Sequence, residues 1–462
     1  MQENLRVPTL FLRSLTPFEV LKLIRNNRCG FKKSSHLSYG ELWKEAVAKN
    51  TSVEAFESYL KYYSISEEEF STLLSELEWV DDAIELPAWF HLIEKAKEFA
   101  GAKIEVKPDE CDDKPFYHVI RPFVDTYAEI FRNNLRSSNI TLPSQHVLKQ
   151  LEDFIYEELY GLSSEVFFKE YSVYKGELSN ADLKEGKMDR YYTEFVSSIL
   201  SNQYESLFSS YPMLMRKMGT KLDSFITFTT EMFQRLDSDK DQIANFFNKD
   251  INEVSEVCLG RGDQHKGGSV VILEFSNGNK LVYKPGSAAV TLAYHRFLDW
   301  VNAELGSGLK SFKALDKENY SWLDYVQNHA CQNKEEVHLY YERAGILACI
   351  AYFLNATDYH FENVIASGCC PVLIDHETII GPVIKAISDE DKDLEQLLSG
   401  SVLKTMLLPI KNPQIPYHVS GFGSSVELQS MGVRSKVENI NTNSMEVVEE
   451  QVLKKLYKNN KP

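Results

Sequence analysis

Residues 342–378 read ERAGILACIAYFLNATDYHFENVIASGCCPVLIDHET, and their texture changes twice. The run from Glu336 to Asn355 is hydrophobic nearly all round, which predicts a long helix central to its domain. The polar stretch Thr357-Asp358-Tyr359-His360-Phe361-Glu362-Asn363 follows. Then Val364-Ile-Ala-Ser367, a Gly368-Cys-Cys-Pro371 turn and Val372-Leu-Ile-Asp375 predict a hairpin ending on an acid. His376-Glu377-Thr378 come next. A buried helix therefore delivers a polar loop and a hairpin delivers a carboxylate, which singles out Asp358, His360, Asn363 and Asp375.

Upstream, Ser269–Phe275 and Lys280–Lys284 are short β-branched runs joined by Ser276-Asn277-Gly278-Asn279. Asn-Gly between such runs predicts a hairpin whose second strand ends on Lys284. Pro285 and Gly286 stop the ladder, and residues 288–305 read as a helix with Leu292, His295, Phe297, Leu298 and Val301 on its apolar side. A strand lysine, an Asp, an Asn five residues after it and a further Asp beyond a hairpin are the residue types that phosphoryl transfer uses. The lysine meets the phosphates, the first Asp sits by the acceptor hydroxyl, and Asn and the second Asp hold Mg²⁺. One amide oxygen and one carboxylate, completed by phosphate and water, suffice for that ion. The order Asp-x-His-x-x-Asn followed by Ile-Asp is closer to a lipid-kinase-like pattern than to the His-Arg-Asp of protein kinases. Separately, Asp358, Asn363 and Asp375 also serve as ordinary caps and turns. A metal hydrolase built from Asp358, His360, Asp375 and His376 is a second chemical alternative, one that leaves Lys284 unexplained.

The stretch Leu259-Gly-Arg-Gly-Asp263-Gln-His265-Lys-Gly-Gly268 places an Asp-x-His pair among glycines. Two groups of different pKa and close backbone approach suit acid/base work, although a solvent-facing Gly-rich turn accounts for it equally. Residues 1–250 hold 7 of the 22 glycines. Thr16-x-x-Glu19, Thr51-x-x-Glu54 and Ser66-x-x-Glu69 read there as capping boxes. Leu148, Leu151, Phe154, Ile155 and Leu159 share one stripe, and the aromatic stripes of 189–247 read as core. The first half is thus expected to be all helical.

Composition narrows the classes further. At 462 residues the chain is long enough for about three domain-sized units, and 43% apolar residues can fill cores. A net charge of −17 repels a phosphate backbone, so no nucleic-acid partner is expected. No apolar run approaches the roughly 20 residues of a membrane span, and the N-terminus lacks a secretory pattern; a cytoplasmic location is expected. The seven cysteines form no CxxC pair, and Cys369-Cys370 reads as part of a tight turn rather than a redox centre.

Taken together, GRGDQHKGGSVVILEF, NGNKLVYKP and the run from Glu342 to Thr378 resemble the dehydratase domain of class II lanthipeptide (lantibiotic) synthetases, over about residues 140–445. The resemblance implies an α+β fold: a mainly helical N-terminal region, 1–250, then a lipid-kinase-like bilobal core with a small β-containing lobe, 251–335, and a large lobe, 336–462. It implies Mg·ATP-dependent phosphorylation of Ser and Thr in a ribosomal precursor peptide carrying a leader, followed by phosphate elimination. By position, Lys284 corresponds to the phosphate-binding lysine, Asp358, His360 and Asn363 to the catalytic loop, Asn363 and Asp375 to the metal site, and Asp263 and His265 to the elimination pair. The family usually has Arg where Gly286 stands and Leu where His376 stands. Its members run about twice as long, so relative to them this core is C-terminally incomplete, lacks later elimination residues and lacks the zinc cyclase. A separate cyclase or C-terminal synthetase fragment is the implied partner. The alternative from another class is a non-catalytic scaffold that binds peptide or partner.

Overall fold

The ladder of short antiparallel strands that begins after residue 250 frames the site, and long helices precede it. A computed structural model describes residues 9–26, 29–31, 52–67, 69–70, 77–79, 86–101, 106, 113–176, 189–265, 268–381, 400–409, 420–422 and 429–455; at 9, 17, 29–31, 53, 77–79, 261–265, 429–434 and 452–455 it describes the backbone alone. The described helices are α1 Thr9–Arg13, α2 Pro17–Arg25, α3 Val53–Tyr62, α4 Ala88–Gly101, α5 Tyr117–Ser137, α6 Gln145–Gly176, α7 Arg190–Ser201, α8 Glu205–Ser210, α9 Pro212–Phe247, α10 Ala289–Leu305 and α11 Lys334–Phe353. The strands are β1 Cys29–Phe31, β2 Leu77–Trp79, β3 Val254–His265, β4 Gly268–Phe275, β5 Lys280–Lys284, β6 Ala314–Asp316, β7 Ser321–Asp324, β8 Val364–Ser367, β9 Cys370–Leu373, β10 Gln429–Glu438 and β11 Glu446–Lys455. The chain divides into two units, one of residues 1–131, 155–227 and 439–444 and one of residues 132–154, 228–438 and 445–462.

The first unit is mainly helical, but not wholly so as the sequence predicts, because β1 and β2 pair antiparallel with Gly30 opposite Glu78. Local capping chemistry works as read at Thr16, whose hydroxyl accepts from the Glu19 N–H while the Glu19 carboxylate accepts from the Thr16 N–H at 2.8 Å. Ser66 and Glu69 exchange the same pair of bonds. Thr51 lies outside the described residues, and it is Ser52 that caps α3 by accepting from the Ala55 N–H. The aromatic stripes are core: Phe116, fully buried, has the rings of Phe167, Phe168, Tyr171, Tyr192 and Phe195 around it.

In the second unit five antiparallel strands run in the order β3-β4-β5-β7-β6. The Asn277-Gly278 turn joins β4 to β5 as read, with Gly278 at φ 82°. Alternation then buries Val271, Leu273, Phe275, Leu281 and Tyr283 on one face. The buried Asp239 of α9 accepts from Lys317 Nζ, Tyr320 Oη and Trp322 Nε1 at 2.7, 2.9 and 2.8 Å, tying that helix to the sheet edge. Burial, the largest single influence, raises its pKa, but the three donors and the Lys317 charge together bring it below the usual carboxylate value. In α10, Tyr294, Leu298 and Val301 join Leu347, Ala348 and Ile350 of α11 in one core, together with Tyr359, Val364 and Leu373.

One reading needs correction here. Helix α11 is buried on one face only: Leu339, Tyr341, Tyr352 and Phe353 are exposed, so apolar composition all round does not mark a fully enclosed helix. The polar C-terminal segment contains a long hairpin, β10 paired with β11 from Gln429↔Lys455 to Glu438↔Glu446. Its alternation is masked by charged residues, so it carries little period-2 signal.

Candidate active site

Lys284 is the last residue of β5, paired with Ser321 of β7. Pro285 has no N–H to continue the ladder. Gly286 turns the chain at φ 146°, a conformation that side chains rarely adopt, and its carbonyl accepts from Ser321 Oγ at 3.1 Å. The Lys284 ammonium, largely buried, meets Asp375 Oδ1 at 3.3 Å and Glu377 Oε1 at 2.8 Å. These carboxylates are two residues apart in a segment that follows β9. The Glu377 N–H donates to Asp375 Oδ1 at 3.2 Å, a local turn that holds both acids in place. The sequence analysis does not single out Glu377; the signal for it is the Asp-x-Glu spacing, since an Asp side chain commonly accepts from the N–H two residues on.

The hairpin β8–β9 is as read except that its turn is tighter, with Gly368 and Cys369 between the paired residues Ser367 and Cys370. Cys369 and Cys370 are free thiols, and burial pushes the Cys370 thiol up. At the open end the Ile374 N–H donates to the Asn363 carbonyl at 3.1 Å, so Asn363 and Asp375 flank the last rung. The loop before it folds on itself. Asn363 Nδ2 donates to the Asp358 carbonyl at 2.9 Å, the Asn363 N–H donates to the His360 carbonyl at 3.0 Å, and His360 Nε2 lies 3.7 Å from Asp358 Oδ1. The Glu362 N–H reaches His360 Nδ1 at 3.3 Å, and Asn363 Nδ2 lies 3.5 Å from His360 Nε2. Asp358 sits at φ 67°, a left-handed conformation uncommon for a residue with a side chain and typical of functional loops. Thr378 Oγ1 donates to the Thr357 carbonyl and so ties the acid segment to this loop.

Two groups of predicted residues thus come together in one unit: Lys284 with Asp375, and Asp358 with His360 and Asn363. Asp263 and His265 lie on β3, where only the backbone is described; their side chains are outside the described residues. Residues 259–265 of the glycine-rich stretch are not a turn, as one alternative had it, but part of an irregular strand with register shifts between Cys258 and Arg261 and between Arg261 and His265. Gly260, at φ 69°, is packed against the Phe154 ring and donates its N–H to Ser269 Oγ at 3.1 Å.

Beneath the acids, His376 is 1% exposed, with its ring 4.4 Å from that of Tyr294. Burial first, then His295 and Lys284, push its pKa down to about 3, so the ring is neutral. Burial likewise pushes His295 down to about 4 and the Tyr359 phenol up. No group of three or more His, Cys, Asp or Glu with metal-binding geometry occurs among the described residues. The hydrolase alternative also needs the His376 ring beside Asp375, and that ring is buried with Nδ1 3.3 Å from Thr291 Oγ1; an amide and a carboxylate completed by phosphate oxygens form a different donor set. No helix among the described residues is long and apolar enough to cross a membrane.

The family described as "Domain of unknown function (DUF4135)" matches residues 211–462, a span that holds every residue of the site. The lacticin 481/lactococcin biosynthesis protein LcnDR2 of Lactococcus lactis subsp. lactis is 28% identical over 285 residues, covering 58% of this chain and 30% of that relative. The matched stretch thus spans under a third of the curated relative's length.

Proposed function

The chain belongs to the DUF4135 family, and we propose that it acts in lanthipeptide biosynthesis as a Mg·ATP-dependent kinase of Ser and Thr in a ribosomal precursor peptide. Similarity to a lacticin 481/lactococcin biosynthesis protein supports the biosynthetic role. The observation that carries the chemistry is the Lys284 ammonium held by Asp375 and Glu377 next to the Asn363 rung. A cation resting on two carboxylates is the arrangement in which phosphate and metal can be exchanged in. Lys284 passes to phosphate oxygens, and Asp375 with Asn363 is left to hold Mg²⁺. When bound, that ion neutralises charge on the phosphates. Asp358, half-exposed, takes the proton of the incoming hydroxyl as its oxygen bonds to the γ-phosphorus and the bond to ADP breaks. His360, whose Nε2 lies 3.7 Å from Asp358 Oδ1, orients that carboxylate. By the resemblance, Asp263 and His265 would serve elimination of that phosphate.

Thermal melting with Mg·ATP tests this directly. Ligand at about a hundredfold its Kd should stabilise by roughly 2.7 kcal/mol, and Asp375→Asn should remove the shift. With a Ser/Thr-containing lanthipeptide precursor, mass spectrometry should then find added phosphate, or loss of water where elimination follows. A native chain that neither shifts with Mg·ATP nor phosphorylates peptide would leave a scaffold as the better reading.

A further inference from the structure

Asp375 and Glu377 flank one buried residue, and its contacts run to a different element. His376 Nδ1 lies 3.3 Å from Thr291 Oγ1 on α10, and Tyr294 of the same helix packs on the ring. Helix α10 follows Lys284 after four residues, and its start is anchored where the Ala288 N–H and Ser287 Oγ both donate to the Asp316 carboxylate at 2.9 Å. One bond therefore connects the segment carrying the acids to the helix that continues from the strand carrying the lysine. Stability alone does not account for a histidine here. His376 Nε2 has no partner, nor do the buried Tyr294 Oη and Tyr359 Oη around it, and an unsatisfied buried polar atom is a cost that an apolar residue of similar volume avoids.

We infer that His376 is a positioning residue: through Thr291 it holds Asp375 and Glu377 on the Lys284 ammonium. The inference deepens the proposed Mg·ATP site, yet its test needs no nucleotide. Lys284 in the full chain is acetylated with limiting acetic anhydride and quantified by peptide mass spectrometry. Lys317, held by Asp239 at 2.7 Å, serves as an internal reference. His376→Leu keeps the volume, Thr291→Val removes only the hydroxyl, and His376→Asn returns a polar group to the Nδ1 position. Losing one hydrogen bond's worth of positioning should raise the Lys284:Lys317 ratio about fivefold in the Leu and Val variants. The Asn variant should stay within about twofold of the native chain. A ratio unchanged in both His376→Leu and Thr291→Val overturns the inference. So does a parallel rise at Lys284 and Lys317, which marks general loosening. Mg·ATP added to the native chain probes the nucleotide reading separately: failure to protect Lys284 would count against the kinase and leave the His376 result standing.

Discussion

At the scale of single residues, chemistry was legible as a set of types and illegible as a set of contacts. Lys284, Asp358, His360, Asn363 and Asp375 stand out because a strand lysine and a polar loop beside a hairpin need a reason. Nothing local says that Lys284 and Asp375, 91 positions apart, share an ion pair, or that Glu377 makes the shorter contact. Burial of His376 was likewise hidden, since its neighbours Asp375 and Glu377 read as surface, whereas His295 is buried on the apolar side of its helix as read. His295 carries a measurable consequence. Its pKa lies below the unfolded value of 6.5, at about 4, mainly through burial, with the nearby Asp299 opposing. The unfolded chain takes up this proton first, so stability is lost as pH falls from about 6.5 to about 4. His295→Gln removes that uptake, and urea titrations across this range should show a shallower fall in stability than the native chain does.

At the scale of elements, what a few adjacent residues decide was read correctly. The hairpin at Asn277-Gly278, the hairpin at Gly368 and the Thr16 capping box each depend on residues within about four positions. The failures have the same logic reversed. Helix α11 looks enclosed because its composition is apolar, but which neighbours cover it is a tertiary matter, and Phe353 is 79% exposed. The β10–β11 hairpin has charges along its strands and was passed over. Gly278 offers the cleanest test at this scale. A Cβ there meets nothing within 4 Å, so Gly278→Ala reports only the cost of φ 82°. That cost is about 1 kcal/mol, measurable as a lower urea midpoint with an unchanged slope.

At the scale of the whole molecule, the units are not continuous in sequence. Residues 439–444 belong with the helical unit. There Asn441 is fully buried, its Oδ1 accepting from the Phe116 N–H at 3.0 Å and its Nδ2 donating to the Lys114 carbonyl at 3.2 Å. Asn443 Oδ1 accepts from the Tyr191 N–H at 2.8 Å, and Tyr171 Oη donates to the Thr442 carbonyl. A helical region read as ending near residue 250 therefore lacks a piece that lies nearly two hundred residues later. Asn441→Ala leaves a buried N–H and a buried carbonyl without these partners and should cost about 2 kcal/mol. Loss of helical circular dichroism at a lower urea concentration would register it. A residues 1–227 fragment should melt below the full chain for the same reason.

The sequence by itself determined the capping boxes at Thr16 and Ser66, the turns of the two short hairpins and the residue types available for phosphoryl chemistry, because caps and tight turns are settled by side chains a few positions apart. Only the tertiary structure decided that β5 lies beside β7, that Asp375 and Glu377 converge on Lys284, that His376 turns inward to Thr291, and that residues 439–444 complete a unit begun at the other end of the chain. Those outcomes rest on burial and charge pairing between segments tens to hundreds of residues apart. Such pairings exist only once the chain has closed on itself, and no window of adjacent residues encodes them.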